Sequence, residues 1–130
     1  MTCFWKGIIS SLTSDDLKIL GLETNPTPKQ LCYTLKRKNK KSNKLMWNNT
    51  KLSINEIEEN FIHISDYNLG DINNGYLCSV CDPFLCLLCE LLKCNIIHYY
   101  LDKPMYYNYP SCTKTLKFSS NRGHFWKYSK

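Results

Sequence analysis

The amino-acid sequence predicts an α+β fold in which N-terminal helices and one central buried helix pack on a C-terminal antiparallel sheet. Apolar residues at helical spacing and helix-capping residues dominate the first half of the chain. Residues 84–93 are apolar on nearly every side, which is typical of a helix surrounded by core. Short segments of strand composition then alternate with turns up to the end, so that helices precede strands.

A single domain is expected over residues 1–130. A chain of 130 residues that is 43% hydrophobic supplies one core and is too short for two. No apolar run reaches the roughly 18 residues that cross a bilayer, and the apolar N-terminal patch lacks a basic start. We therefore expect no membrane partner and no signal peptide.

Capping residues predict where the helices before the central one begin and end. Thr27 and Ser53 each open a capping box with a glutamine or glutamate three residues later, and Gly21 suits a helix end. The polar stretch 39–50 is expected to be an exposed loop, and residues 65–75 a turn-rich connection. The four predicted helices cover residues 4–12, 14–20, 28–38 and 54–61.

Strand-forming segments follow the central helix. Residues 95–100 and 105–109 flank a turn and are expected to pair as a hairpin. Residues 115–119 alternate as a further strand, and a tight turn at 120–123 leads into the last strand, 124–128.

Cys3 is the candidate nucleophile. It precedes the first predicted helix, where the positive end of the helix dipole stabilises a thiolate. An adjacent imidazole would activate it further. Of the three histidines, His124 opens the last strand directly after a turn, a position held by a sheet and open to a cleft. From the residues alone, an incidental thiol and an ordinary edge histidine remain open as alternatives.

Three short segments carry a family resemblance. CFWKGII at residues 3–9 is similar to a nucleophile segment Cys-Leu-Phe-x-x-Ile/Leu at a helix start. LCLLCELLKCNIIHYY at residues 85–100 is similar to a buried helix that feeds an Ile-x-Val strand. Residues 116–118, followed by His124 and Phe125, are similar to an apolar strand, a turn and a His-Tyr pair. In this order the segments resemble the ovarian-tumour (OTU) papain-like cysteine proteases, which are deubiquitinases.

The resemblance implies a cysteine-type isopeptidase of OTU-like fold that acts on ubiquitin or a ubiquitin-like modifier without cofactor or metal. Cys3 would be the nucleophile and His124 the base, with Asn121 as a nearby residue to orient the ring. The cleft would be walled by Trp5, Phe125 and Trp126, for which a place in the core is the alternative.

Two departures from the family pattern bear on activity. The family usually has Asp-Gly-Asn before the cysteine, shaping the oxyanion loop, where this sequence has Met1 and Thr2. The family also often has Asn or Asp two residues after the histidine, where this sequence has Trp126. A catalytically degenerate OTU-like binding module is therefore the alternative to an active peptidase.

A basic nucleic-acid-binding or zinc-binding accessory protein is the third possibility. The net charge is +6, and much of it lies in residues 36–44, but no aromatic residues interleave there as base stacking requires. This disfavours nucleic acid, and a solvated helix end is the simpler interpretation. Two C-x-x-C pairs at residues 78–89 are separated by too few residues for a usual zinc module, which favours buried thiols.

The composition bears on origin and location. The sequence has no alanine and many lysines, asparagines and isoleucines, a bias typical of an AT-rich genome such as that of a large DNA virus. Together with the lack of a signal segment, this predicts an intracellular location, in the host cytoplasm or in the virion.

Overall fold

The computed structural model describes residues 2–76, 78 and 81–128. Within them the chain forms an α+β fold, as the sequence predicts, with five α-helices and a six-stranded sheet. No helix in these ranges is long and apolar enough to cross a membrane. The helices are α1 (Cys3–Ser11), α2 (Ser14–Leu20), α3 (Pro28–Arg37), α4 (Ile54–Asp66) and α5 (Pro83–Leu92). The strands are β1 (Met46–Trp47), β2 (Thr50–Lys51), β3 (Asn95–Tyr100), β4 (Lys103–Asn108), β5 (Thr115–Ser120) and β6 (Phe125–Lys127).

Helix starts follow the capping residues. The side-chain oxygens of Thr27 and Ser53 accept the backbone N–H of Gln30 and Glu56 respectively, and both partners reach back to the capping residue. The two predicted capping boxes are confirmed. Helix α4 runs five residues beyond its predicted end at residue 61, because the Lys36 ammonium group donates to three carbonyl groups at its C-terminal end.

The sheet is mixed, which corrects the expectation of an antiparallel one. Its order is β2-β1-β4-β3-β5-β6, and β3 pairs with β5 in parallel while its other neighbour, β4, is antiparallel. Parallel neighbours need a crossover connection, and here β4 itself carries the chain back to the start of β3. Asn95, at the start of β3, holds the connection from β4 to β5 in place. Its side-chain oxygen accepts the Tyr109 N–H at 2.9 Å, and its backbone N–H donates to the Lys114 carbonyl at 2.8 Å.

Part of the predicted exposed loop 39–50 instead begins a hairpin, β1–β2, that extends the sheet. Asn48 and Asn49 have φ values of 49° and 66°, the left-handed region that asparagine tolerates in a two-residue turn. The buried Glu90 carboxylate of α5 accepts the N–H groups of Lys44 and Leu45 at 3.0 and 3.1 Å. Glu90 thereby holds the entry to β1 against the central helix, which is buried as predicted.

The contact between α1 and β6 brings the two chain ends together. Gly7 is buried on the face of α1 that meets Phe125. A Cβ atom at Gly7 would lie 2.7 Å from Cδ1 of Phe125 and 3.4 Å from its carbonyl oxygen. The Phe125 ring is packed against Phe4 and Phe118 at centroid distances of 4.9 and 5.0 Å, so it has little room to move. The missing side chain at Gly7 thus sets how closely β6 approaches α1.

Substitution of Gly7 by alanine tests this contact. Helix propensity alone predicts that Gly7→Ala stabilises the protein by about 0.5–1 kcal/mol, whereas overpacking against Phe125 predicts a loss of about 1–3 kcal/mol. We expect a net decrease in the free energy of unfolding, measured by urea denaturation at pH 7.5. Lys6→Ala, on the exposed side of the same helix, is the control and should change it little. Stabilisation by Gly7→Ala would contradict the packing described here.

Candidate active site

The structure places Cys3 and His124 side by side. The Cys3 Sγ atom lies 3.7 Å from Nδ1 of His124, although 121 positions separate the two residues in the chain. Cys3 is the first residue of the nine-residue helix α1, and His124 directly precedes β6. The first N–H groups of a helix have no acceptor within it, and its dipole favours negative charge there. The pair therefore has the geometry of a thiol and a base that can remove its proton.

Asn121 fixes the turn that presents His124 rather than the imidazole ring itself. Its side-chain oxygen accepts the N–H groups of Gly123 and His124 at 2.9 and 2.8 Å, and its own N–H donates to the His124 carbonyl at 2.9 Å. The prediction that Asn121 orients the ring needs correction, because this oxygen is engaged by backbone groups. Among the hydrogen bonds of the residues that the structure describes, the only partner of the His124 ring is Cys3.

A cleft of about 240 Å³ opens above the Cys3–His124 pair. The turn that carries His124 forms one wall, and the segment with Asn74, Gly75 and Tyr76 forms another. Gly75 has a φ of 84°, a conformation that favours glycine. Phe125 lines the cleft, as predicted.

The two tryptophans predicted to wall the cleft lie elsewhere. Trp5 is only 1% exposed and packs edge-on against Phe84 in the core, with ring centroids 4.9 Å apart. It is two positions from Cys3 in α1, and two positions correspond to about 200° around a helix, so its side chain leaves the opposite side. Trp126 is 44% exposed and follows Phe125 in β6, where successive side chains point to opposite faces of the sheet. Both placements correct the prediction.

A second cysteine–histidine pair lies buried at the floor of the cleft, which Cys78 and Ser120 help to line, and was missed from the sequence. The Cys78 Sγ atom lies 3.6 Å from Nδ1 of His98, and Nε2 of His98 lies 2.6 Å from the Ser120 hydroxyl. The Ser120 hydroxyl in turn donates to the Cys78 carbonyl at 3.4 Å. This assigns the Nε2–H tautomer to His98, with Nδ1 accepting from the thiol. The three side chains and the Cys78 carbonyl group form a closed ring of neutral hydrogen bonds.

The environment of this second pair disfavours thiolate chemistry. Burial lowers the pKa of His98 to about 4, so that the imidazole is neutral at pH 7. Burial also raises the pKa of the Cys78 thiol far above its ordinary value, as does the nearby Asp82 carboxyl group. Only the strict alternation of β3, which points His98 inward between Ile96 and Tyr100, could have indicated a buried histidine.

A buried carboxyl group supports the cleft wall formed by Tyr76. The Tyr76 hydroxyl donates to Asp82 at 2.6 Å, and the other Asp82 oxygen accepts the Leu85 N–H at the start of α5. Burial raises the pKa of Asp82 to about 6, although both hydrogen bonds act in the opposite direction. Nε2 of His63 lies 3.1 Å from the same Tyr76 hydroxyl. Each of the three histidine rings therefore has a hydrogen-bond partner on another side chain.

The remaining cysteines of the two C-x-x-C pairs lie largely in the core. Cys86 and Cys89 are fully buried on α5, and the Cys81 and Cys86 sulfur atoms are 3.6 Å apart. The hydrogen bond to Cys81 and burial raise the pKa of the Cys86 thiol, and burial chiefly raises that of Cys89. Within residues 2–76, 78 and 81–128, no group of three or more cysteine, histidine or acidic side chains is arranged to hold a metal ion.

Comparisons of the chain with models of known protein families, with curated proteins and with solved structures give no match. The resemblance to OTU proteases drawn from residues 3–9, 85–100 and 116–125 stays a prediction. What the structure contributes is the spatial relation of Cys3 and His124, the two residues for which that similarity implies catalytic roles.

Stability as a function of pH tests the buried ring. The ordinary His98 pKa of 6.5 falls to about 4 in the fold, so the unfolded chain binds the extra proton between these values. His98 should therefore contribute stability that is full above pH 6.5 and is lost as pH falls towards 4, by at most about 3 kcal/mol. Asp82 acts in the opposite direction over pH 4–6, because its raised pKa makes the folded state bind the proton.

The free energy of unfolding of the wild type and of His98→Gln is measured by urea titration at pH 4 to 7.5. The difference between the two proteins is then compared across pH, because the Asp82 contribution is the same in both and cancels. The wild type should lose its advantage over the variant as pH falls. A difference that stays constant across this range would show that His98 is not held neutral by burial.

Proposed function

We propose that this protein is a cysteine hydrolase of OTU-like type, in which Cys3 is the nucleophile and His124 the general base. The observation that carries the proposal is the 3.7 Å distance between Cys3 Sγ and His124 Nδ1 in an open cleft. A nucleophile and a base within reach of each other are the minimum that covalent acyl transfer needs.

The environments of the two cysteine–histidine pairs support the choice of Cys3. Both pairs have similar distances, 3.7 Å and 3.6 Å. Cys3 is partly exposed and His124 is exposed at the cleft, whereas Cys78 is 4% exposed and His98 is fully buried. An ion pair of thiolate and imidazolium is stabilised by water and by a helix N-terminus, and Cys3 has both.

The reaction proceeds in two acyl-transfer steps. Nδ1 of His124 takes the proton of the Cys3 thiol, and the thiolate attacks the carbonyl carbon of an amide. The tetrahedral intermediate collapses to a thioester as His124 returns the proton to the leaving amine. Water, deprotonated by the same imidazole, then attacks the thioester and releases the carboxylic acid and the Cys3 thiol.

The substrate class rests on the resemblance to deubiquitinases. The cleft of about 240 Å³ at the Cys3–His124 pair is where the scissile bond would lie. The resemblance implies an amide between a glycine at the C-terminus of a ubiquitin-like modifier and a lysine amine. We therefore propose an isopeptidase of deubiquitinase type.

The oxyanion of the intermediate needs hydrogen-bond donors, and two are available at the cleft. The Cys3 N–H belongs to the first turn of α1, where amides lack intrahelical acceptors. On the facing wall, the side-chain amide of Asn74 donates one N–H to Asp71 Oδ1 at 3.2 Å and has a second N–H that this bond does not use. We assign Asn74 as the second donor, with Asp71 as the residue that positions it.

A catalytically degenerate binding module is the second candidate. The observation that favours it is that, in the part of the chain that the structure describes, no carboxylate or amide side chain bonds the His124 ring. An unoriented imidazole is a weaker base, since much of the rate of such enzymes depends on ring orientation. Ubiquitin binding without turnover would identify this case.

Labelling by an electrophilic ubiquitin probe tests the proposal. Wild-type protein should form a covalent adduct and cleave a fluorogenic ubiquitin amide, and Cys3→Ala should abolish the adduct and reduce cleavage by at least about 10³-fold. His124→Gln should do nearly the same. Cys78→Ala is the matched control and should retain labelling, because its thiol is buried against His98. Labelling that persists in Cys3→Ala, or no labelling at all, would refute the peptidase assignment.

The role of Asn74 is tested by separating thiol reactivity from oxyanion stabilisation. Asn74→Ala and Asn74→Asp should lower kcat by about 10- to 10³-fold with little change in KM, because an oxyanion donor acts only in the transition state. Alkylation of Cys3 by iodoacetamide forms no oxyanion and should proceed at the wild-type rate. A parallel loss of alkylation would mean that Asn74 acts on the thiol or on the fold instead.

A further inference from the structure

The outer face of the sheet, on the side away from the helices, carries an aromatic platform. The inward side chains of β3 and β5, such as Ile96 and Phe118, are buried under the helices, so the alternate residues point outward. The outward residues include aromatic side chains from β3, β4 and β6, the aromatic residue after β6 and two lysines. We define the platform as Tyr99, Tyr106, Trp126, Tyr128, Lys51 and Lys117.

Pairing across the sheet places the rings and Lys117 in two adjacent rows. Ile97 of β3 pairs with Tyr106 on one side and with Lys117 on the other. In the next row, Ser119 pairs with both Tyr99 and Trp126. The rings and Lys117 therefore extend across β4, β3, β5 and β6, whereas Lys51 lies on the edge strand β2, where it pairs with Met46.

The rings of the platform are accessible and lie close to cationic groups. Tyr106 is 42% and Trp126 44% exposed. The Tyr99 and Tyr128 rings stack at 4.9 Å with an interplanar angle of 27°, and the Lys117 ammonium lies 6.0 Å from the Tyr128 centroid. Exposed rings that are grouped on one face, rather than scattered singly, mark a surface that meets a partner.

The strands of the sheet carry basic side chains and no acidic ones. From residue 95 to residue 128 the sequence has five lysines and arginines and a single acid, Asp102, which lies in the turn between β3 and β4. Of these cations, Lys114 pairs with Asp16 of α2 and Arg122 lines the cleft. A partner that presents flat rings and negative charge at regular intervals complements this surface best.

We infer that the platform binds single-stranded nucleic acid. Bases would stack on Tyr106 and Trp126, and phosphates would lie near Lys117 and Lys51, as aromatic sheet surfaces combined with cations allow. A duplex fits less well, because the flat face presents no helix or ribbon to enter a groove. The inference does not depend on the proposed hydrolase, since the platform and the cleft lie on opposite faces of the sheet.

The basic stretch 36–44 is a weaker candidate for the same partner. Lys36 is bonded to the carbonyl groups at the end of α4, and Lys41 pairs with Glu58. The sequence disfavoured nucleic acid because this stretch lacks interleaved rings. The platform supplies rings from separate strands, which only the fold brings together.

Fluorescence anisotropy with labelled 12-residue oligo(U) and oligo(dT) tests the inference at 50–200 mM salt. We expect both strands to bind, and Tyr106→Ala and Trp126→Ala each to weaken binding by about 5- to 100-fold. Tyr106→Phe keeps the ring and should bind like the wild type. Lys117→Ala should weaken binding and reduce the slope of log K against log salt by about one.

Lys40→Ala, in the exposed basic stretch, is the control and should leave binding unchanged, as should Cys3→Ala, which separates this inference from the hydrolase. Circular dichroism confirms that each variant is folded. Absence of binding at 50 mM salt would overturn the inference. So would loss of binding on Lys40→Ala but not on Trp126→Ala, or equal competition by polyglutamate, which would indicate an acidic protein partner instead.

Discussion

The close approach of α1 to β6 is the constraint on which the candidate site depends. Cys3 and His124 lie near opposite ends of the chain, so no interaction between sequence neighbours can bring them together. Gly7 leaves room for the Phe125 ring, and Phe125 directly follows His124. The same ring packs 5.4 Å from His98, so the buried hydrogen-bond ring beneath the cleft also supports the position of β6. The thiol and the imidazole meet because an apolar contact one helical turn away brings their backbones together.

Two cysteine–histidine pairs at nearly equal distances have different environments because they differ in access to water. In the buried pair, desolvation disfavours both the thiolate and the imidazolium, and Ser120 completes a neutral network. In the pair at the cleft, a helix N-terminus and solvent are both available to a charged thiolate. The sulfur–nitrogen distance therefore does not distinguish the two pairs, whereas their surroundings do.

Features that depend on sequence neighbours, such as helix starts, were predicted correctly. Features that depend on residues far apart in the chain, such as strand pairing, were not. The capping boxes at Thr27 and Ser53 gave the helix starts because each is complete within four residues. The β1–β2 hairpin was missed because it is secured by Glu90, more than forty positions away, although the Asn48–Asn49 turn was visible in the sequence. The parallel pairing of β5 was missed for the same reason. The proximity of Cys3 and His124 was predicted from a family resemblance, whereas no resemblance pointed to the buried pair of Cys78 and His98.

The central claim is that the fold makes one thiol of eight reactive through His124. The most direct measurement is limited alkylation with iodoacetamide at pH 7, followed by mass-spectrometric mapping of the modified cysteines, in the wild type and in His124→Gln. The account predicts that Cys3 is modified first and that its rate falls in the variant while the other partly exposed thiols, Cys81 and Cys112, keep theirs. Preferential modification of Cys81 or Cys112, or a Cys3 rate indifferent to His124, would contradict it.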